Sequence, residues 1–213
     1  MSYVLYYAPG AASLAVHWML IELGAEFRTE RLDLAAGNQR SPSFLKLNPA
    51  GKIPVLLVDG QAHAESAALL MLLAERHPEA SFAPPLNDSQ RGKWLEMMVF
   101  LANTLSPAMR DWFYAAQDGE PIDAEATRRL AQRRIEGAWD RLDTLLADGR
   151  PYLLGDKITT VDFLATMLMR WARNMPRPAT AWTHVGPYVM RMRSRPAFQD
   201  VCHREALTEW LNG

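Results

Sequence analysis

Between Asn48 and Glu65 the chain reads Asn-Pro-Ala-Gly-Lys-Ile-Pro-Val, then a short apolar run, Asp59-Gly60, and finally Glu65-Ser66 at the head of another apolar run. Pro54, set between a β-branched residue and a short strand, is the most constraining position. X-Pro bonds are the only peptide bonds in which cis is cheap, and in folded chains a cis bond marks a fixed, tight turn. Ile53-Pro54 is therefore expected to be cis. Such a turn leaves the N–H and C=O of Ile53 facing outward, where an extended peptide pairs with them as an added strand would. Glu65 and Ser66 then open the next helix beside that peptide. A helix N-terminus offers unpaired N–H groups and partial positive charge to a carboxylate, while Glu65 answers an ammonium. The pattern describes a pocket for a short peptide carrying both an amine and a carboxylate.

Composition excludes several alternatives. The chain has 213 residues, enough for one large domain or two small ones, and its 49% apolar and 22% charged content fits an ordinary globular protein. A formal charge of −1 supplies no global field toward nucleic acid or acidic lipid. The single cysteine, Cys202, makes no intrachain disulfide, which suits a reducing compartment. No basic segment followed by an apolar core opens the chain and no uncharged run approaches membrane-spanning length, so a cytoplasmic protein without membrane or nucleic-acid partners is expected. His17, His63 and His77 are too scattered for a metal site.

Tyr3 to Tyr7 reads as a strand stopped by Pro9-Gly10. A helix follows from about Ser13, with Gly24 as its stop signal. Glu26 to Leu32 reads as a second strand, and 35–43 as a loop with one helical turn. Asp59-Gly60 is a two-residue hairpin signal between Val55–Val58 and Ala62-His63. Glu65 to Arg76 is a helix. Residues 1–80 thus form an α+β, thioredoxin-like domain, and 81–87, with Pro84-Pro85, a stiff linker. From 88 to 213 helical periodicity dominates, giving an all-α domain. It begins with one long helix from Asp88 to about Ala115, followed by helices around 135–146 and 161–173 and shorter ones over 182–194 and 197–211. Thr159-Thr160-Val161-Asp162 is a capping box. The arginine pairs 128–129 and 133–134 read as a solvated helix face.

The strand, the Ser-containing helix, the Ile-Pro turn and Glu65-Ser66 together resemble the N-terminal half of glutathione transferases. Tyr6-Tyr7-Ala8-Pro9-Gly10-Ala11-Ala12-Ser13-Leu14-Ala15-Val16-His17 looks most like the bacterial beta class. The resemblance runs nearly end to end and extends to the capping box and to Arg195-Pro196-Ala197-Phe198. It implies that Glu65 and Ser66 hold the γ-glutamyl amine and carboxylate of glutathione. Ile53, before Pro54, would add backbone bonds, and Lys52 would reach the glycyl carboxylate. Ala12 stands where the beta class has its cysteine, so exchange through a protein disulfide at that position is ruled out.

A nucleophilic thiol must be held as thiolate, and lowering its pKa by two units takes roughly 2.7 kcal/mol. A hydroxyl donor at a helix N-terminus supplies that. Ser13 is the first candidate and Tyr7 the second, against the plainer readings of a helix cap and a core aromatic. Asn103, Ser106, Met109, Trp112 and Phe113 are expected to line the second-substrate pocket, between the domains. Ser106 stands where the beta class commonly has a histidine. The plainer reading is that Asn103 and Ser106 end a helix segment before Pro107. The implied function is a detoxifying glutathione S-transferase, with glutathione as co-substrate, no cofactor or metal, and a homodimeric assembly. The alternatives are a glutathione-fold binding or partner-interaction protein with little turnover, and a glutathione-dependent isomerase or dehalogenase.

Overall fold

The computed structural model describes residues 2–118 and 121–210. They fall into two compact units, one comprising the residues up to Ala83 together with those from Arg193 on, the other running Pro84–Met192.

The first unit is built on a four-stranded sheet: β1 (Tyr3–Tyr7), β2 (Phe27–Arg31), β3 (Val55–Val58) and β4 (Gln61–Ala64), in the order β2-β1-β3-β4. β1 runs parallel to β2 and antiparallel to β3, which is antiparallel to β4. Tyr3, Leu5 and Tyr7 turn inward from β1, the period-two signature of a sheet with one strongly buried face. Helix α1 (Leu14–Glu22) follows β1 and is buried continuously from Leu14 to Leu20. A helix that is apolar all round must be covered on several sides. It packs against β1, against α3 (Ser66–Arg76) and against the C-terminal helix α9 (Pro196–Arg204). Gly24, at φ 61°, ends α1 where the stop signal stands. Asp59 and Gly60, at φ 50° and 85°, form the hairpin turn between β3 and β4. The expected loop over 35–43 holds a 3-10 turn, Asn38–Arg40, and runs into the short helix α2 (Pro42–Leu45).

The C-terminal segment departs from the expected division at 88. α9 joins the first unit because Phe198, Val201 and Cys202 form its buried face. Phe198 meets the Trp18 ring edge-on at 4.9 Å, and Arg195 pairs with Glu22 of α1. The helix expected over 197–211 stops at Arg204, because Ala206 takes a left-handed φ of 55°; position 211 lies outside the described residues.

The second unit is helical: α4 (Arg91–Phe100), α5 (Ser106–Asp118), α6 (Ala124–Leu146), α7 (Thr160–Trp171) and α8 (Val185–Arg193), whose last residue belongs to the first unit. Helix α7 is its centre, with every residue from Thr160 to Arg170 buried. The single long helix expected over 88–115 is interrupted. A π turn, Leu101–Leu105, joins α4 to α5, and the Ser106 N–H bonds back to the Leu101 carbonyl. Pro107 is the physical cause: it has no N–H for the Asn103 carbonyl, and its ring needs room in the preceding turn. Tyr114 adds a second break, at φ −110°, ψ 17°.

Asp143 of α6 caps α8 from outside, accepting the His184 and Val185 N–H groups at 2.6 and 2.9 Å. At the second residue of α8, a Cβ on Gly186 would lie 2.8 Å from the Thr180 carbonyl oxygen. That oxygen is backbone and has little freedom to retreat. Gly186→Ala is therefore expected to destabilise the protein by about 1–3 kcal/mol, read as a lower midpoint in denaturant.

Candidate active site

Strand register brings the expected binding residues to one edge of the sheet. Tyr6 pairs with Val55, and Val55 with Ala64. Continuing both ladders by one residue places Tyr7, Pro54 and Glu65 in a row where β1 ends, β3 begins and β4 ends. The Ile53-Pro54 bond is cis, as the sequence led one to expect. Ile53 is half-buried, Pro54 buried and Lys52 exposed.

Two helices start at this edge. α1 follows the loop Ala8–Ser13, and α3 follows Glu65 directly. The Ser66 hydroxyl joins them, donating to the Ala12 carbonyl at 2.8 Å. Each helix start carries partial positive charge and unpaired N–H groups. In the α1 loop, the Ala11 N–H bonds to Ala8, but among the described residues the Ala12 and Ser13 N–H groups have no acceptor. Two anion-favouring ends thus lie side by side. Glu65, exposed between β4 and α3, adds a carboxylate to the same edge.

Glu65 sits at φ 69°, ψ 109°, outside the regions that L-residues favour. Such a conformation costs about 1–3 kcal/mol and persists where surrounding structure imposes it, frequently at ligand clamps. It is imposed here by the β4 ladder before Glu65 and the α3 backbone after it.

Not every expected residue is available. Ser13 is 0% exposed, and its hydroxyl both accepts from the Ala8 N–H and donates to the Ala8 carbonyl, each at 3.3 Å. The hydroxyl turns inward to close the loop and does not cap α1. Tyr7 is 8% exposed, with its ring edge-on to His17 at 5.2 Å. Met109 is likewise core, at 0% exposed. Asn103 is exposed within the π turn, Ser106 and Trp112 are half-buried, and Phe113 is exposed. The widened π turn advances the chain by less than an α-helical step per residue, which takes Asn103 off the face that carries Ser106. Phe113 meets Trp171 edge-on at 6.4 Å, a partner no periodicity argument selected.

Sequence reasoning also missed a buried group beneath the loop. Glu205 accepts the Gly10 N–H at 2.7 Å and contacts His17 Nδ1 at 2.7 Å. No local pattern marks Glu205, since contacts this distant in sequence leave no spacing to read.

A four-stranded mixed sheet flanked by α1 and α3, both starting at one edge of it, is a thioredoxin-like arrangement. Two family models match, the glutathione S-transferase N-terminal domain over residues 1–75 and the glutathione S-transferase C-terminal domain over 123–191. The chain belongs to the glutathione S-transferase family, and is a transferase. It is 27% identical to glutathione S-transferase GstA of Escherichia coli O157:H7, over 95% of this chain and 98% of that one. The sphingomonad glutathione S-transferase solved in complex with glutathione is 29% identical, with a TM-score of 0.84 over 96% of this chain and all of that one. The bacterial beta-class enzyme of Sphingomonas chungbukensis is 28% identical, again at a TM-score of 0.84, with 96% and 100% covered.

Proposed function

We propose that this transferase conjugates the glutathione thiolate to small hydrophobic electrophiles, activating the thiol with the Ala12 backbone N–H rather than a side-chain hydroxyl. The observation that carries the reading is the acceptor-free N–H of Ala12, on a half-buried residue held beside the start of α3 by the Ser66–Ala12 bond. Glutathione brings two anions to this edge, its γ-glutamyl carboxylate and its thiolate, and each meets a helix N-terminus. Glu65 takes the ammonium, Ile53 pairs through its backbone ahead of Pro54, and Lys52 reaches the glycyl carboxylate. The Ser66 hydroxyl is committed to Ala12, so Ser66 serves the ligand carboxylate through its N–H. Electrophiles would lie against Ser106, Trp112 and Phe113, with Asn103 a polar neighbour. Family membership is what supports a homodimer and a cytoplasmic location.

Calorimetric titration with glutathione, followed by turnover of a chloro-nitroaromatic, tests the reading. Binding without turnover would favour the alternative, a glutathione-fold protein that acts as a passive binder or through partners. No binding would remove both enzyme readings. Ser13→Ala separates backbone from hydroxyl activation. Turnover is expected to fall by less than about threefold. Stability should drop by about 1–2 kcal/mol, since the buried Ala8 N–H loses its acceptor. A collapse of turnover with the fold intact would restore the hydroxyl as thiol donor.

A further inference from the structure

Glu205 lies 195 residues beyond Gly10, yet both of its carboxylate oxygens serve the α1 loop and the first turns of α1. Oε2 accepts the Gly10 N–H, and Oε1 contacts Nδ1 of His17, whose own N–H bonds to the Ser13 carbonyl at 2.9 Å. The carboxylate is 0% exposed and the imidazole 2%. A carboxyl group buried this completely needs hydrogen-bonding partners for its oxygens, and Gly10 and His17 supply them. The His17 ring is held edge-on by Tyr7 at 5.2 Å and Phe27 at 5.5 Å, and its Nε2 has no hydrogen-bond partner among the described residues.

The chain is built to deliver this carboxylate. Immediately after Glu205, Ala206 adopts a left-handed φ of 55°, and the Leu207 N–H returns to the Cys202 carbonyl at 2.8 Å. That is the Schellman ending normally given to glycine, here accepted with a Cβ present. α9 in turn is clamped to α1 through Phe198 on Trp18 and Arg195 on Glu22. The loop that presents the Ala12 N–H is therefore held on one side by Ser66 and on the other by Glu205.

We propose that Glu205 is a positioning residue for thiol activation: by tying Gly10 to α1 it fixes where the Ala12 N–H points. The inference rests on the glutathione transferase reading above. Preorganised donors lose most of their effect on small displacement. Reach, rather than charge, is then what Glu205 must supply.

Glu205→Asp keeps the charge and withdraws it by one methylene. Glu205→Gln keeps the reach, its amide oxygen still accepting from Gly10 and its amide nitrogen facing an imidazole that has switched tautomer. In full-length protein whose folding is checked by thermal melting, Glu205→Asp is expected to lower kcat/KM about tenfold and to raise the pKa of bound glutathione by about one unit, followed by thiolate absorbance. Its affinity for S-methylglutathione, which has no thiol to ionise, should stay within about twofold, and Glu205→Gln should restore both thiol readouts. Unchanged thiol ionisation in Glu205→Asp would overturn the proposal. So would a loss that affects S-methylglutathione equally, which marks a purely structural role, or damage confined to Glu205→Gln, which marks charge rather than reach. Failure of the wild type to bind glutathione at all is a different result: it removes the transferase reading, and this inference with it.

Discussion

Glu65→Gln is expected to weaken glutathione binding by about 10–100-fold, the cost of about 1.5–3 kcal/mol for losing a hydrogen bond to a charged group. Its carboxylate is exposed at the sheet edge opposite Pro54, with no partner among the described residues to be released when the side chain is neutralised. The backbone makes a sharper comparison possible. Because Glu65 sits at φ 69°, any residue with a Cβ there carries strain that glycine does not. Glu65→Gly should therefore be more stable than Glu65→Ala by about 1 kcal/mol, while both lose glutathione. Equal stability of the two would mean that the strained conformation is not held in solution. Retained affinity in all three variants would mean that the ammonium is bound elsewhere. Isothermal titration and denaturant unfolding on the same preparations read both quantities.

What could be read from the sequence was whatever a residue dictates locally. Ile53-Pro54 specifies a turn, Asp59-Gly60 a hairpin, Gly24 a helix end and Thr159 with Asp162 a helix start. Each was found at its place. The binding edge follows from those pieces, because the hairpin register carries Glu65 opposite Pro54 whatever the rest of the chain does. Ser13 shows the limit. Its position at the start of α1 was legible, yet rotating a side chain inward to Ala8 rather than outward is decided by packing. Met109 fails similarly: an apolar stripe does not say which of its members is covered. The π turn did leave a trace in Pro107, which cannot continue an α-helical ladder to Asn103, but a proline alone does not choose between a kink, a stop and a bulge. The pairing of Glu205 with Gly10 leaves no trace at all, since a contact between chain ends has no period.

The largest stability loss is expected from Asp162→Ala. A lost N-cap alone costs about 1–2 kcal/mol. Asp162, however, is fully buried and does more than cap α7. One oxygen accepts the Leu153 N–H at 2.9 Å and the Tyr188 hydroxyl at 2.9 Å; the other accepts the Thr159 N–H at 2.8 Å and the Thr159 hydroxyl at 3.2 Å. A single side chain thus joins α7, α8 and the segment before α7. Burial pushes its carboxyl above the ordinary aspartate range, and the four donors oppose that rise. Burial and the Asp162 carboxylate also push the Tyr188 hydroxyl well up, so it stays protonated and donating. Alanine leaves all four donors inside the unit without an acceptor, and no water reaches them cheaply. The expected loss is about 3–5 kcal/mol, a large part of the total stability of a domain this size. Tyr188→Phe removes one donor and leaves the capping box whole, so it should cost only about 1 kcal/mol. If the two substitutions proved equally damaging in denaturant unfolding, the tyrosine contact rather than the helix start would be holding the second unit together.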